Sequence, residues 1–168
     1  MYRLHLLRHA KSSWDDSTLT DRERPLAPRG RKAAKRIADW AASHDVRPQV
    51  VACSSAVRAR ETLQRVLPGL GEPEVWTEVS LYAASAETLL ARVQALPDEL
   101  DEAMLIGHNP GFQELVLLLA EEGELRDRVA AKLPTGGLAT LEADVRGWAE
   151  IKPGHMRLSS FVVPRDLR

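Results

Sequence analysis

The chain has 168 residues, the length of one domain, and residues 1–168 are read as a single unit. Hydrophobic residues at 44% and charged residues at 28% lie near globular averages and exclude a disordered, collagenous or disulfide-scaffold protein. Lys and Arg number 23 against 24 Asp and Glu, so a formal charge of −1 provides no general field for nucleic acid or an anionic membrane, and any anion site has to be local. Cys53 is the sole cysteine, which excludes an internal disulfide and a Cys-rich zinc site. The apolar run at Met1–His9 is broken by Arg3 and Arg8, unlike a signal peptide, and no stretch approaches the ~20 apolar residues of a membrane helix. A cytoplasmic protein is expected.

Tyr2–Leu7 is an apolar run that stops at Arg8-His9, as a buried strand feeding a loop does. Ala10–Arg29 has almost no periodicity, and connections of that length are uncommon unless functional. From Gly30 the spacing of Ala34, Ile37, Ala38 and Ala41 predicts a helix ending near Ser43-His44. Val50–Cys53 reads as a second strand, followed by a helix carrying Ala59, Leu63, Val66 and Leu67 and stopped by Pro68-Gly69. Glu74–Val79 is a weaker strand. Ser85 is positioned to cap a helix with Leu89, Val93 and Leu96 on one face, ended by Pro97. Ala103–Gly107 is a further buried strand, after which Asn109 as N-cap and Pro110 as first helical residue open a helix carrying Phe112, Leu115, Val116 and Leu119. Gly137–Ala143 and Arg157–Val163 close the chain as strands. Alternating strands and helices predict an α/β fold of three layers. Its central sheet is mostly parallel but mixed, because the last two strands have no helix between them.

In open α/β sheets ligands sit beyond the carboxyl ends of the strands, and three polar clusters fall there. Arg8 and His9 follow the first strand; adjacent residues point to opposite faces within a strand but can converge at its end. A neutral imidazole nitrogen can attack phosphorus without first losing a proton, and a guanidinium matches phosphoryl oxygens. A surface arginine beside a core or capping histidine is the plainer alternative. Ser54-Ser55 and Arg58 follow the second strand and open a helix whose free N–H groups favour anions; plain capping and a solvated helix face are the alternative there. Cys53 does not fit a Cys-x5-Arg phosphatase loop, which would need Arg at Ala59, and is read as a small core residue. Gly107-His108 repeats the pattern, against a reading as an ordinary turn. Three such ends on one sheet edge would make one concentrated anion pocket. His5 is read as a core histidine, and His44 and His155 as residues at element ends.

Arg8-His9-Ala10, Arg58-Ala59-x-x-Thr62 and Gly107-His108, in that order, resemble the histidine phosphatase superfamily, which includes the phosphoglycerate mutase-like enzymes. The likeness runs from Tyr2 to about Asp144. Arg24-Pro25-Leu26, Gly30 and the segment Arg8–Trp14 make the chain most similar to the SixA-type phosphohistidine phosphatases. The resemblance implies a single histidine phosphatase domain with the phosphoglycerate mutase-like fold. It makes His9 the nucleophile that becomes phosphorylated, with Arg8, Arg58 and His108 holding the phosphoryl oxygens and Ser12 near the pocket. Mutase-like members carry a Glu proton donor after the third strand, but Leu81-Tyr82-Ala83-Ala84 has no carboxylate, and Asp15 stands where mutases have an Asn contacting phosphate.

A missing acid favours a leaving group that departs unaided. A phosphoramidate can leave as neutral imidazole, whereas an alkoxide needs a proton, worth ~10²–10⁴-fold. Asp15, Asp16, Asp21 and Glu23 remain as substitutes if the long loop folds over the pocket; solvated or loop-bracing roles are the alternative. The expectation is a phosphohydrolase without metal or other cofactor, since His9 and His108 lack the i, i+4 spacing of a zinc site and two guanidiniums can neutralise the phosphate. It would act on a phosphorylated protein, with a small-molecule phosphomonoesterase or phosphoryl-transfer enzyme as the second reading and a non-catalytic phosphate-binding module as the third.

Overall fold

The structure, a computed structural model, describes residues 1–167. Six strands form one sheet in the order β3-β2-β4-β1-β5-β6: β1 (Tyr2–Arg8), β2 (Val50–Ser54), β3 (Glu74–Glu78), β4 (Glu102–Gly107), β5 (Leu138–Ala143) and β6 (Arg157–Val162). β3, β2, β4 and β1 pair in parallel, and β5 runs antiparallel to both β1 and β6. The expected mixed sheet is therefore present, with β5 the one reversed strand.

Alternate residues of each central strand feed two separate cores, as the period of two demands. Leu4 and Leu6 of β1, Ala103 and Leu105 of β4 and Val50 and Ala52 of β2 face α3 (Ala86–Gln94), α4 (Gly111–Leu119) and α5 (Glu124–Ala131). Leu7, Met104, Ile106, Val51 and Cys53 face α1 (Pro28–Ser43) and α2 (Val57–Val66). Helix α1 buries Gly30, Ala34, Ile37, Ala38 and Ala41, the stripe the sequence predicts, and begins at Pro28, two residues earlier than read. Ser85 caps α3, its Oγ accepting from the Thr88 N–H at 3.2 Å.

One sequence expectation needs correction, and one helix lies in a segment for which the sequence predicts no element. Helix α4 starts at Gly111 with Pro110, after a cis Asn109–Pro110 peptide, in the N-cap position; Asn109 Oδ1 accepts from the Gln113 N–H at 3.1 Å from outside the helix. Helix α5 buries only Val129 of its residues, so its sequence carries no apolar stripe.

Candidate active site

β1 and β4 are neighbours, but the helix following β1 packs on one face of the sheet and the helix following β4 on the other. Chains diverging from adjacent strand ends open a crevice at the carboxyl edge, where α/β proteins bind ligands. The ends of β1, β4 and β2 bring Arg8, His9, His108, Ser54 and, in the first turn of α2, Arg58 to that crevice. Arg58 is 6% exposed, as are His9 and His108.

His9 is fixed at both ends. Its backbone N–H donates to the Gly107 carbonyl at 3.0 Å, and its ring Nδ1 lies 2.7 Å from the Ala10 carbonyl. A carbonyl only accepts, so Nδ1 carries the hydrogen and Nε2 keeps its lone pair. The Arg58 Nε–H donates to that Nε2 at 3.3 Å. Burial, followed by the nearby His108, Arg58 and Arg8, drives the His9 pKa down to about 3, against the Ala10 carbonyl, which favours the protonated ring. The ring is a free base at neutral pH.

His108 lies with its ring centre 5.2 Å from that of His9. Its Nε2 is 2.7 Å from Ser54 Oγ, while its Nδ1 is buried without a protein partner. Burial and then Arg58 push its pKa down to about 4. Arg8 donates through Nη1 to the Leu133 carbonyl at 3.0 Å, and its Nε is likewise buried and unpartnered. Buried polar atoms with no partner are uncommon and costly, so these nitrogens suit an incoming oxyanion.

The supporting contacts explain the sequence pattern. Thr62 Oγ1 accepts from the Ala10 N–H at 2.9 Å and donates to the Arg58 carbonyl at 2.8 Å, tying the end of β1 to the helix that carries Arg58. A side chain on Gly30 would place Cβ 2.0 Å from the Lys11 carbonyl oxygen, so only glycine lets α1 approach the segment after His9. At Gly107 a Cβ would meet the Phe112 ring at 2.7 Å; this glycine makes room for a core ring beneath the site.

Of the four loop acids, the structure brings one to the crevice. Asp16 accepts from Thr18, and Glu23 from Thr20, bracing the loop itself. Asp15 is exposed. Asp21 Oδ2 instead accepts from Arg58 Nη2 at 3.0 Å and from the Tyr82 hydroxyl at 2.5 Å, and its carbonyl accepts from Arg58 Nη1 at 2.6 Å. The Tyr82 hydroxyl, and then Arg58, hold the Asp21 carboxyl down to about 2, so it is ionised at neutral pH. Ser12 is buried with its hydroxyl accepting from Arg24 Nη1 at 2.7 Å.

Tyr82 escaped the sequence reading. It lies in the segment noted only for lacking a carboxylate, yet its ring meets His108 edge-on at 5.4 Å and its hydroxyl anchors Asp21. No spacing signal marks such a residue. His5 is a satisfied core histidine, 2.8 Å from both Thr140 Oγ1 and Glu102 Oε2. Burial pushes the Cys53 thiol up to about 12, as suits a core residue. Among the described residues no three His, Cys, Asp or Glu gather as a metal-binding group, and no helix is long and apolar enough to cross a membrane.

The chain is similar to known proteins over nearly its whole length. Protein Rv1276c of Mycobacterium tuberculosis (strain H37Rv), itself uncharacterized, is 35% identical over 164 residues, covering 95% of this chain and 100% of its own. The crystal structure of SixA from Agrobacterium tumefaciens, a candidate phosphohistidine phosphatase, superposes with a TM-score of 0.81 at 32% identity, covering 97% of this chain and 98% of that one. A protein histidine phosphatase SixA solved with tungstate shares the fold, with a TM-score of 0.79 at 24% identity and 99% of each chain covered. The α/β fold is thus the phosphoglycerate mutase-like one that the sequence implied. The family model for the histidine phosphatase superfamily (branch 1) matches residues 4–107, which carry Arg8, His9 and Arg58, and the chain belongs to that superfamily.

Proposed function

We propose that the protein is a phosphohydrolase in which His9 Nε2 takes up a phosphoryl group and passes it to water, with phosphohistidine on a protein as substrate. The observation that carries this is the fixed tautomer of His9, which directs a lone pair at a point shared with Arg58 and flanked by His108 and Arg8. In the first step a P–N bond forms at Nε2 as the bond from phosphorus to the leaving group breaks. In the second, water oxygen replaces Nε2 on phosphorus, releasing orthophosphate and a proton. Guanidinium and imidazole N–H groups of Arg8, Arg58 and His108 hold the three equatorial oxygens in both steps. The scheme balances the phosphate charge with these side chains alone, and chelators are expected to leave turnover unchanged.

Asp21 supports this substrate class. A carboxyl held to about 2 has no proton to give at neutral pH, so the leaving group must depart on its own. Phosphohistidine does so as neutral imidazole, and aryl phosphates come close. One observation favours a second reading. Asp21 lies within the site, and an oxyanion that displaced it from Arg58 would remove one of the contacts holding its proton off and set negative charge beside it, raising its pKa toward that of an acid able to protonate an alkoxide. That would make a small-molecule phosphomonoesterase. Rates for phosphohistidine peptide, aryl phosphates and alkyl phosphates separate the two. The proposal requires a steep fall with leaving-group pKa; a shallow dependence that steepens in Asp21→Asn supports the phosphomonoesterase.

A further inference from the structure

A second concave site lies beside the crevice at the β6 end of the sheet. It is a cavity of about 620 Å³ lined by six cations: Lys11, Arg29, Arg36, Arg128, Lys132 and Arg165. The exposed face of α1 supplies Arg29 and Arg36, and the end of α5 supplies Arg128 and Lys132. Against a whole-chain charge of −1, this gathering stands out as a strong local field. Among the described residues its only ion pair is a long one, Arg128 to Asp166 at 3.9 Å. The base is apolar, formed in part by Phe161, Val163 and Pro164, with the Arg128 guanidinium 5.3 Å from the Phe161 ring centre.

We infer that this cavity binds a small organic polyphosphate. Several cations at one place call for more than one negative charge. The concave form and the volume lie in the range of small-molecule sites, about 300–1,000 Å³, and the apolar base offers a surface for an organic group that inorganic phosphate lacks. None of His9, Arg58 and His108 lines it, so the site is separate from the proposed phosphoryl pocket and its occupancy does not depend on that chemistry. The two share a wall. The Leu133 carbonyl accepts from Arg8, and the Gly136 N–H donates to the Arg8 and His9 carbonyls, on the loop whose Pro134 and Thr135 line the cavity.

Calorimetric titration of the full chain with ATP, tripolyphosphate and orthophosphate tests this. ATP is expected to bind most tightly, tripolyphosphate next and orthophosphate at least tenfold more weakly than ATP, with affinity falling as salt rises. Arg36→Ala/Arg165→Ala, and independently Arg29→Ala/Arg36→Ala, should weaken ATP binding at least tenfold while leaving aryl phosphate turnover unchanged; all these side chains are exposed. Arg58→Ala should leave ATP binding within about twofold. ATP binding lost in Arg58→Ala and kept in the two double variants would overturn the inference by placing the ligand in the phosphoryl pocket. So would binding of an oligo-aspartate peptide without binding of ATP or tripolyphosphate, which would make the cavity a dock for acidic protein segments. Loss of aryl phosphate turnover in His9→Ala bears on the proposed function alone.

Discussion

Two buried imidazoles held neutral should give the fold a pH dependence of defined sign and size. In the folded protein His9 lies at about 3 and His108 at about 4, whereas an unfolded chain holds histidine near 6.5. Between those limits the unfolded chain binds protons that the folded one refuses, so stability present above pH 6.5 is lost as the pH falls toward the folded values. From pH 7 to pH 5 the loss is roughly 2 kcal/mol for each ring, hence about 4 kcal/mol for the pair. The size depends little on the folded values, since at pH 5 both rings are still almost wholly neutral in the native state. This window also lies above the carboxylates, which include Asp21 at about 2. Urea denaturation of the native chain and of His108→Gln at pH 7, 6 and 5 reads the effect. The native protein should lose about 2 kcal/mol more than the variant over this range. Parallel curves would refute the claim that His108 is buried as a free base.

Other outcomes follow from single contacts. Asp21→Asn removes the carboxylate on Arg58, and competitive inhibition by tungstate or phosphate should tighten by roughly tenfold, read from inhibition constants with an aryl phosphate substrate. Arg58→Ala should lower turnover by about 10²–10³-fold, the loss typical of one oxyanion-binding donor, with circular dichroism unchanged. Gly107→Ala drives a Cβ into the Phe112 ring at 2.7 Å and should cost about 1–3 kcal/mol in denaturation while also lowering turnover, because His108 is the next residue.

The strand ends were legible because buried strands write themselves as short apolar runs, and the polar residue that ends each run marks a fixed edge of the sheet. Leu7 followed by Arg8-His9, Cys53 followed by Ser54, and Gly107-His108 therefore point to one crevice from the sequence alone. Helix α1 was equally clear, since its buried residues keep one helical face. Other parts depend on tertiary contacts that leave no local signal. Asp21 is one of four loop acids, and the Tyr82 hydroxyl with the guanidiniums of Arg58 and Arg24 selects it. Tyr82 itself comes from a short irregular segment with no period. Pro110 and α5 show the same limit. A proline reads as a first helical residue whatever the preceding peptide does, and α5 is surface-laid with one buried side chain. The open nitrogens of Arg8 and His108 are likewise a product of packing. Sequence names the side chains, but which nitrogen is already engaged depends on Leu133 and Ser54.

The most direct test is to trap the enzyme during turnover. Rapid mixing with a phosphohistidine peptide or an aryl phosphate, alkaline quenching and mass spectrometry should find one phosphoryl group, on His9 and bonded through Nε2. The label should vanish in acid, and His9→Ala should neither form it nor turn over while keeping its fold. An acid-stable label, a label on Ser12 or Ser13, or full turnover by His9→Ala would contradict the account.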